Sequence, residues 1–168
     1  MKALFISTTY LKRKSIMDGQ VDPDKLVQFI ETAQDIHIQN YTGTNLYVKL
    51  QNLVTSGDID LAANSDYKHL LTEYIKPMLA WYAQSEYIPF SLYTISNGGV
   101  YKHRSDNSDP VAPEEIAGLA RRAEDKAKFY TNRFIEYMDD KGSLFPEYNS
   151  SQDDMYPEKD ITTMGWVL

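Results

Sequence analysis

The stretch AQDIHIQNYTGTNLY, residues 33–47, admits two readings that lead to different proteins. Asp35 and His37 are metal-ligand types, with Gln34 and Asn40 beside them. The same residues also read as the end of one helix, a glycine corner and the start of another. Upstream, Asp22 suits an N-cap, Pro23 suits the first helical position, and Asp24 complements the helix dipole. From there Leu26, Ile30, Ala33 and His37 recur at helical spacing, and Phe29 and Ile36 widen the apolar face. This helix is expected to end near Asn40, before Gly43. Thr44 can cap a second, shorter helix carrying Leu46, Tyr47, Leu50, Leu53 and Val54, with Ser56-Gly57-Asp58 as its terminator. Ala33, Ile36, Leu46 and Tyr47 are expected to pack across the corner. On a helix Asp35 and His37 point in different directions, so they cannot ligate one metal without distortion. His69 and His103 fall on other elements, and no H-E-x-x-H or E-x-x-H spacing occurs. His37 therefore reads as a hydrogen-bonded residue of a joint.

Downstream, residues 57–65 read as a loop, and Ser65 or Asp66 can cap a third helix that runs to about Tyr87. Leu70, Leu71, Tyr74, Ile75, Met78, Leu79, Trp81 and Tyr82 cover more than one stripe of it, which places it at the centre of a core or in an interface. Pro77 in its middle predicts a kink over residues 73–77. In PFSLYTISNGGVYKHRS, residues 89–105, two β-type runs flank Asn97-Gly98, a strong hairpin signal. Two strands alone are marginal in water, so such a hairpin must pack on the helices or on another subunit. After the polar loop 105–111, Pro113, Glu114 and Glu115 start the longest helix, which runs to about Asp140 and stops at Gly142. Ile116, Ala120, Ala123, Ala127, Tyr130, Phe134 and Tyr137 alternate in steps of four and three along it. They make a heptad-like seam of roughly 37 Å.

The chain has 168 residues, no cysteine and a net charge of -7. The length suits one domain able to bury a core without staples. The missing cysteines exclude disulfides, thiolate metal sites and Cys nucleophiles, and fit a reducing compartment. The first residues do not read as a signal peptide, and no run approaches a membrane span. The acidic balance argues against broad binding to nucleic-acid backbones. Residues 139–168 hold seven acidic and two basic side chains, so most of the negative charge lies there. Their apolar anchors, Leu144, Phe145, Tyr148, Met155, Tyr156, Ile161, Met164 and Trp166, suit an arm that orders on a partner. The expected organisation is an N-terminal arm over 1–21, a helical core over 22–141 with a hairpin at 89–105, and a docking arm over 142–168. Thirteen tyrosines suit contact surfaces. The candidate interface residues are Tyr93, Tyr101, Tyr130, Phe134, Tyr137, Phe145, Tyr148, Tyr156 and Trp166.

No catalytic set is selected. There is no G-x-S-x-G elbow, and Asn97-Gly98-Gly99 lacks P-loop spacing. The acidic pairs Glu114-Glu115, Asp139-Asp140 and Asp153-Asp154 suit helix ends or a tail. Lys12, Arg13 and Lys14 read as a turn or a docking cluster, and Arg121-Arg122 with Lys126 and Lys128 as a solvated helix face.

Residues 22–50, DPDKLVQFIETAQDIHIQNYTGTNLYVKL, resemble a block of small head-completion, or head–tail adaptor, proteins of tailed phages. YKHLLTEYIKPMLAWY, SNGGV and KAKFYTNRFIEYM follow in the same order, and the likeness covers about residues 20–140. It is strongest to versions in phages of gut Bacteroidetes, including crAss-like phages. The resemblance implies a mainly α-helical bundle of about four helices. It further implies a homo-oligomeric ring, usually of twelve copies, at the virion neck. Such a ring binds the portal protein and further neck or tail proteins, and genomic DNA passes through its channel without specific binding. It implies no catalytic residues and no cofactor, and the residues themselves lead to no expected metal or membrane partner. A tail-side completion protein is the near alternative, and a small helical enzyme or ligand-binding module is the distant one.

Overall fold

A computed structural model of the chain describes residues 2–15, 21–91, 93–96, 99–102, 112–150 and 155–161. It is mainly α-helical. Helix α1 spans Thr8–Lys14, α2 Pro23–Ala33, α3 Gln39–Ser56, α4 Ser65–His69, α5 Lys76–Tyr87, α6 Pro113–Lys141 and α7 Pro146–Asn149. Tyr93–Ser96 (β1) pairs antiparallel with Gly99–Lys102 (β2), with Tyr93 opposite Lys102 and Ser96 opposite Gly99. The Asn97-Gly98 turn and the 105–111 loop lie outside the described residues.

Helix α2 starts where its sequence dictates. The Asp22 carboxylate accepts from the Asp24 N–H at 3.0 Å and Pro23 takes the first position, a cap worth about 1 kcal/mol. Leu26, Ile30 and Ala33 are fully buried. The chain then departs from the expected phase. Residues Gln34–Ile38 form a π turn that runs straight into α3. A π turn closes with i→i+5 bonds and slips the helix by about one residue. The core stripe therefore passes to Gln34 and Ile38, both fully buried, while Ile36 turns outward at 44% exposure and His37 moves to the boundary. Ile36 does not pack across the corner as its spacing predicts.

The corner itself is at Gly43, whose φ of 72° and ψ of 160° interrupt an otherwise continuous helix. That backbone region is essentially reserved for glycine. Helix α3 ends on Gly57 in the left-handed conformation (φ 79°), with its N–H bonded to the Val54 carbonyl. The 57–65 segment folds as two 3₁₀ turns, Asp58–Asp60 and Ala62–Asn64.

The bend expected at Pro77 takes the form of a second π turn, Leu70–Ile75, after which the Lys76 N–H bonds to the Leu71 carbonyl. Proline has no N–H and crowds the carbonyl four residues back, and a widened turn relieves both. Helix α5 is the hub of the fold: α1, α2 and α6 all pack on it. Leu70, Ile75, Met78, Leu79 and Ala83 are fully buried.

Helix α6 runs antiparallel to α5, with Tyr82 beside Thr131 and Tyr74 stacked on Tyr137. Its buried stripe is Ile116, Ala123, Ala127, Thr131, Phe134, Ile135 and Met138. The expected seam holds at Ile116, Ala123, Ala127 and Phe134, but Thr131 and Met138 replace Tyr130 and Tyr137, which sit at the core edge. Thr131 faces inward because its hydroxyl finds two partners there, the Ala127 carbonyl (2.9 Å) and the Tyr82 hydroxyl (3.1 Å).

Residues 2–15, 142–150 and 155–161 depart from the expected extended arms. Phe5, Ile6 and Leu11 belong to the core, and α1 is capped by Ser7 accepting from the Tyr10 N–H. Lys12, Arg13 and Lys14 form the last turn of α1, where cations complement the dipole. At the other end Phe145 and Tyr148 are buried and residues 155–161 lie on α3. Among the described residues, no helix is long and apolar enough to cross a membrane.

Candidate functional site

The joint, from the π turn to the Gly43 corner inside α3, is held by segments from both ends of the chain. A regular helix would bond the Thr44 N–H to the Asn40 carbonyl. The Gly43 conformation breaks that bond, and the C-terminal segment takes both halves. The Met155 carbonyl accepts from the Thr44 N–H at 3.0 Å, and the Glu158 N–H donates to the Asn40 carbonyl at 2.9 Å. Pro157 packs where a side chain at residue 43 would stand: a Cβ there would meet Pro157 Cδ at 2.8 Å. The Asn45 side-chain amide donates to the Ser150 carbonyl. Thr42 bonds back to the Ile38 carbonyl at 2.8 Å, a contact that favours bending.

The N-terminal segment is stitched to the other side. Gln34, fully buried, accepts from the Phe5 N–H at 2.8 Å, and donates to the Ala3 carbonyl at 2.9 Å and the Tyr47 hydroxyl at 3.1 Å. Gln51 accepts from the Ala3 N–H and donates to the Ala3 carbonyl. Two glutamine amides thus do for residues 3–5 what a neighbouring strand would do. Buried backbone groups need such partners. A glutamine inside a helix usually reads as solvated, and no spacing signal distinguishes these two.

Asp35 and His37 serve different partners. Asp35 accepts from the Tyr47 hydroxyl at 2.9 Å and pairs with Lys2. His37 Nε2 lies 2.9 Å from Glu86 Oε1, and its ring stacks on Tyr82 at 3.9 Å and 5°. Among the described residues no group of three His, Asp or Glu gathers as a metal site. The sequence read His37 as a joint residue, and the structure places it there, between α2 and α5.

The tyrosines divide into inner and outer sets. Phe134, Phe145 and Tyr148, expected at an interface, are core residues. They pack with Tyr67 and Tyr137: Tyr67 meets Phe145 at 5.2 Å, and Phe134 meets Tyr148 at 6.4 Å. Burial and the Asp139 charge push the Tyr148 phenol up to about 12. Its hydroxyl is buried with no hydrogen-bond partner among the described residues. Burial also raises the phenols of Tyr41 and Tyr67, and contact with the Tyr82 hydroxyl and the Glu147 carboxylate, respectively, adds to it. Tyr93 and Tyr156 are exposed, while Tyr130 and Tyr137 are half-buried. The side chain of Tyr101, and Met164 and Trp166 altogether, lie outside the described residues.

Several exposed apolar side chains escaped the sequence reading, among them Phe90, Leu119 and Phe129. Leu119 and Phe129 fall off the α6 seam, and that offset was the available signal. A second outer feature is a row of cations over rings. Lys126 lies 4.3 Å above Trp81, and Arg133 lies 5.7 Å from Tyr74 and 6.0 Å from Tyr130. Such contacts are worth about 0.5–1 kcal/mol at exposed sites.

No curated protein and no solved structure matches the chain. A family model does match it, over residues 38–157, a span that begins at the end of the first π turn and closes on the proline packed against Gly43. Because that span covers well over half of its length, the chain belongs to this family, described as a family of unknown function (DUF6712).

Proposed function

We propose that this chain is a structural subunit of the neck of a tailed phage. Copies form a ring, of twelve in the usual arrangement, that joins the portal to the tail and extends the channel for DNA. The observation that supports it most is the surface near the paired strands. Phe90 and Tyr93 are exposed there, and α6 packs against residues 88–90 and presents exposed Leu119. A two-stranded pair is marginal alone, and apolar side chains gathered at a surface mark contact sites. Contacts of this heterologous kind, repeated about an axis, close a ring. The resemblance of residues 20–140 to head–tail adaptors supplies the place in the virion. In this reading the helical core sets the wedge angle between neighbours, and its role is geometric rather than catalytic.

Mass photometry and negative-stain imaging of the full chain, with and without portal protein, test the proposal. Rings of one size, free or seated on the portal, are expected. A monomer in both settings would overturn it.

A further inference from the structure

We infer that the paired strands join edge to edge with those of neighbouring copies: β1 of one copy adds to β2 of the next, and an antiparallel ladder runs round the assembly. The inference rests on the self-association proposed above and names one of its contacts.

The strands find little support on their own chain. β1 and β2 form a two-stranded sheet, paired from Tyr93 opposite Lys102 to Ser96 opposite Gly99. Among the described residues they pack mainly on each other, and no helix packs extensively on them. A two-stranded pair alone is marginal in water. It can be supported by its own helices or by another subunit, and the helices of this chain do not cover it.

The unmet need lies in the backbone. In an antiparallel pair, positions bonded to the partner strand alternate with positions whose N–H and C=O groups turn away from it. Each strand therefore sends half of these groups to an outer edge, and among the described residues no further strand occupies either edge. Natural sheets blunt such edges with charge, proline or a covering helix. β1 is Tyr-Thr-Ile-Ser, with no charged residue and no proline. β2 is Gly-Val-Tyr-Lys, with a single charge at its last position. Tyr, Thr, Ile and Val all favour strands. An uncharged edge of this kind is a template for another strand.

Geometry favours a second copy as that strand's source. The two edges are unlike, one belonging to β1 and one to β2. The strands run in opposite directions, so the β1 edge of one copy against the β2 edge of the next continues the antiparallel order. Each copy then gives one edge and receives on the other, a heterologous contact of the kind that closes a ring. Joining β1 to β1 would instead leave both β2 edges bare. The root of the strands is fixed on the helical body. The Phe90 ring lies 5.6 Å from Phe29, which meets Tyr87 at 5.3 Å, and α6 packs on residues 88–90. Phe90 and Tyr93 are exposed at that root, so apolar burial can accompany the backbone bonds.

The absence of cysteine makes thiol cross-linking a clean test on the full chain. One population carries Thr94→Cys or Ile95→Cys, and the other carries Gly99→Cys, Val100→Cys or Tyr101→Cys. The two are mixed, with and without portal protein, and oxidised. Facing residues of adjacent antiparallel strands stand about 4.5–5.5 Å apart, within disulfide reach. Disulfide-linked mixed dimers are expected along one antiparallel register. Their yield should be about tenfold that obtained when Asn52→Cys, on α3, replaces the β2 cysteine. Adding Ile95→Lys puts a charge on the β1 edge, and should lower both ring formation and linking about tenfold. Circular dichroism should show the helices unchanged, since they do not pack extensively on the strands. Links between two β1 cysteines would overturn the proposal in favour of a two-fold contact. Links to the portal alone would overturn it in favour of a portal strand at the edge. Rings without any β1–β2 link would sink the ladder and leave the neck reading standing, whereas monomers throughout would sink both.

Discussion

Two of the interruptions in the helical path through the core, at Gly43 and ahead of Pro77, are held open by different means. The second is local. Proline removes an N–H and crowds the preceding turn, and the π turn over Leu70–Ile75 absorbs both effects within one stretch of chain. The first is non-local. Gly43 permits the bend, but Met155, Pro157 and Glu158 occupy it, and the groups freed at Asn40 and Thr44 find partners only when the far end of the chain arrives. The local break is shared between proline and the packing of its own stretch of chain, whereas the docked break depends on a distant segment.

The largest expected effect comes from alkali, which attacks the docked break through its tyrosines. Tyr41 stands two residues before Gly43 and Tyr47 four after it, and burial raises both phenols above the ordinary 10.0. A phenol raised in the folded state favours folding as the neutral form. The stability it contributes is therefore complete below about pH 10, its unfolded value, and is lost as pH climbs through the folded value. Tyr148, at about 12, loses its contribution between pH 10 and 12. Absorbance at 295 nm with circular dichroism should show a set of phenols that ionise together with unfolding, above pH 10. If all thirteen titrated at ordinary pH with the fold intact, the buried-tyrosine account would fail.

Next comes Gly43→Ala. A non-glycine residue in that backbone region costs about 1–3 kcal/mol, and the added Cβ would meet Pro157 Cδ at 2.8 Å. A loss of about 3 kcal/mol in urea unfolding is expected, with hydrogen exchange at Thr44 accelerated beyond the global change. A neutral substitution would mean that the strap is not seated on the joint.

Pro77→Ala should matter least. It restores an N–H and removes the clash, yet the phase of α5 is set by packing of Leu70, Ile75, Met78 and Leu79. A change within about 1 kcal/mol of either sign is expected, with exchange protection across 70–76 kept. Loss of that protection would show the bend to be proline's alone.

Legibility followed the same division. The Asp22 cap, the Gly57 stop, a disturbed turn ahead of Pro77 and the helical hub around α5 were readable, because each rests on neighbours within a turn or on a dense apolar run. The π turn over Gln34–Ile38 was not. A one-residue slip leaves no mark in composition, and it moved Ile36 out and Gln34 in. On α6 the bulkier Tyr130 looked like the seam residue, but Thr131 won the inward position because Tyr82 and the Ala127 carbonyl offered its hydroxyl partners. The interface candidates failed where aromatics of the tail, Phe145 and Tyr148, had a home on their own chain. Apolar spacing says that a side chain needs a partner, not whose.

By itself, then, the sequence determined a helical chain, where α2 and α6 begin, where α3 and α6 stop, and that the AQDIHIQNYTGTNLY stretch is a joint in which Asp35 and His37 do not converge. Those outcomes rest on short-range physics: caps, glycine and proline backbone preferences, and the geometry of residues two apart on a helix. Only the tertiary structure decided which residues of each stripe face inward, that residues 3–5 and 155–158 fold onto the joint, and that Gly43 is open because Pro157 fills it. Those depend on contacts between segments far apart in the chain, whose partners become defined only when the core has closed around α5.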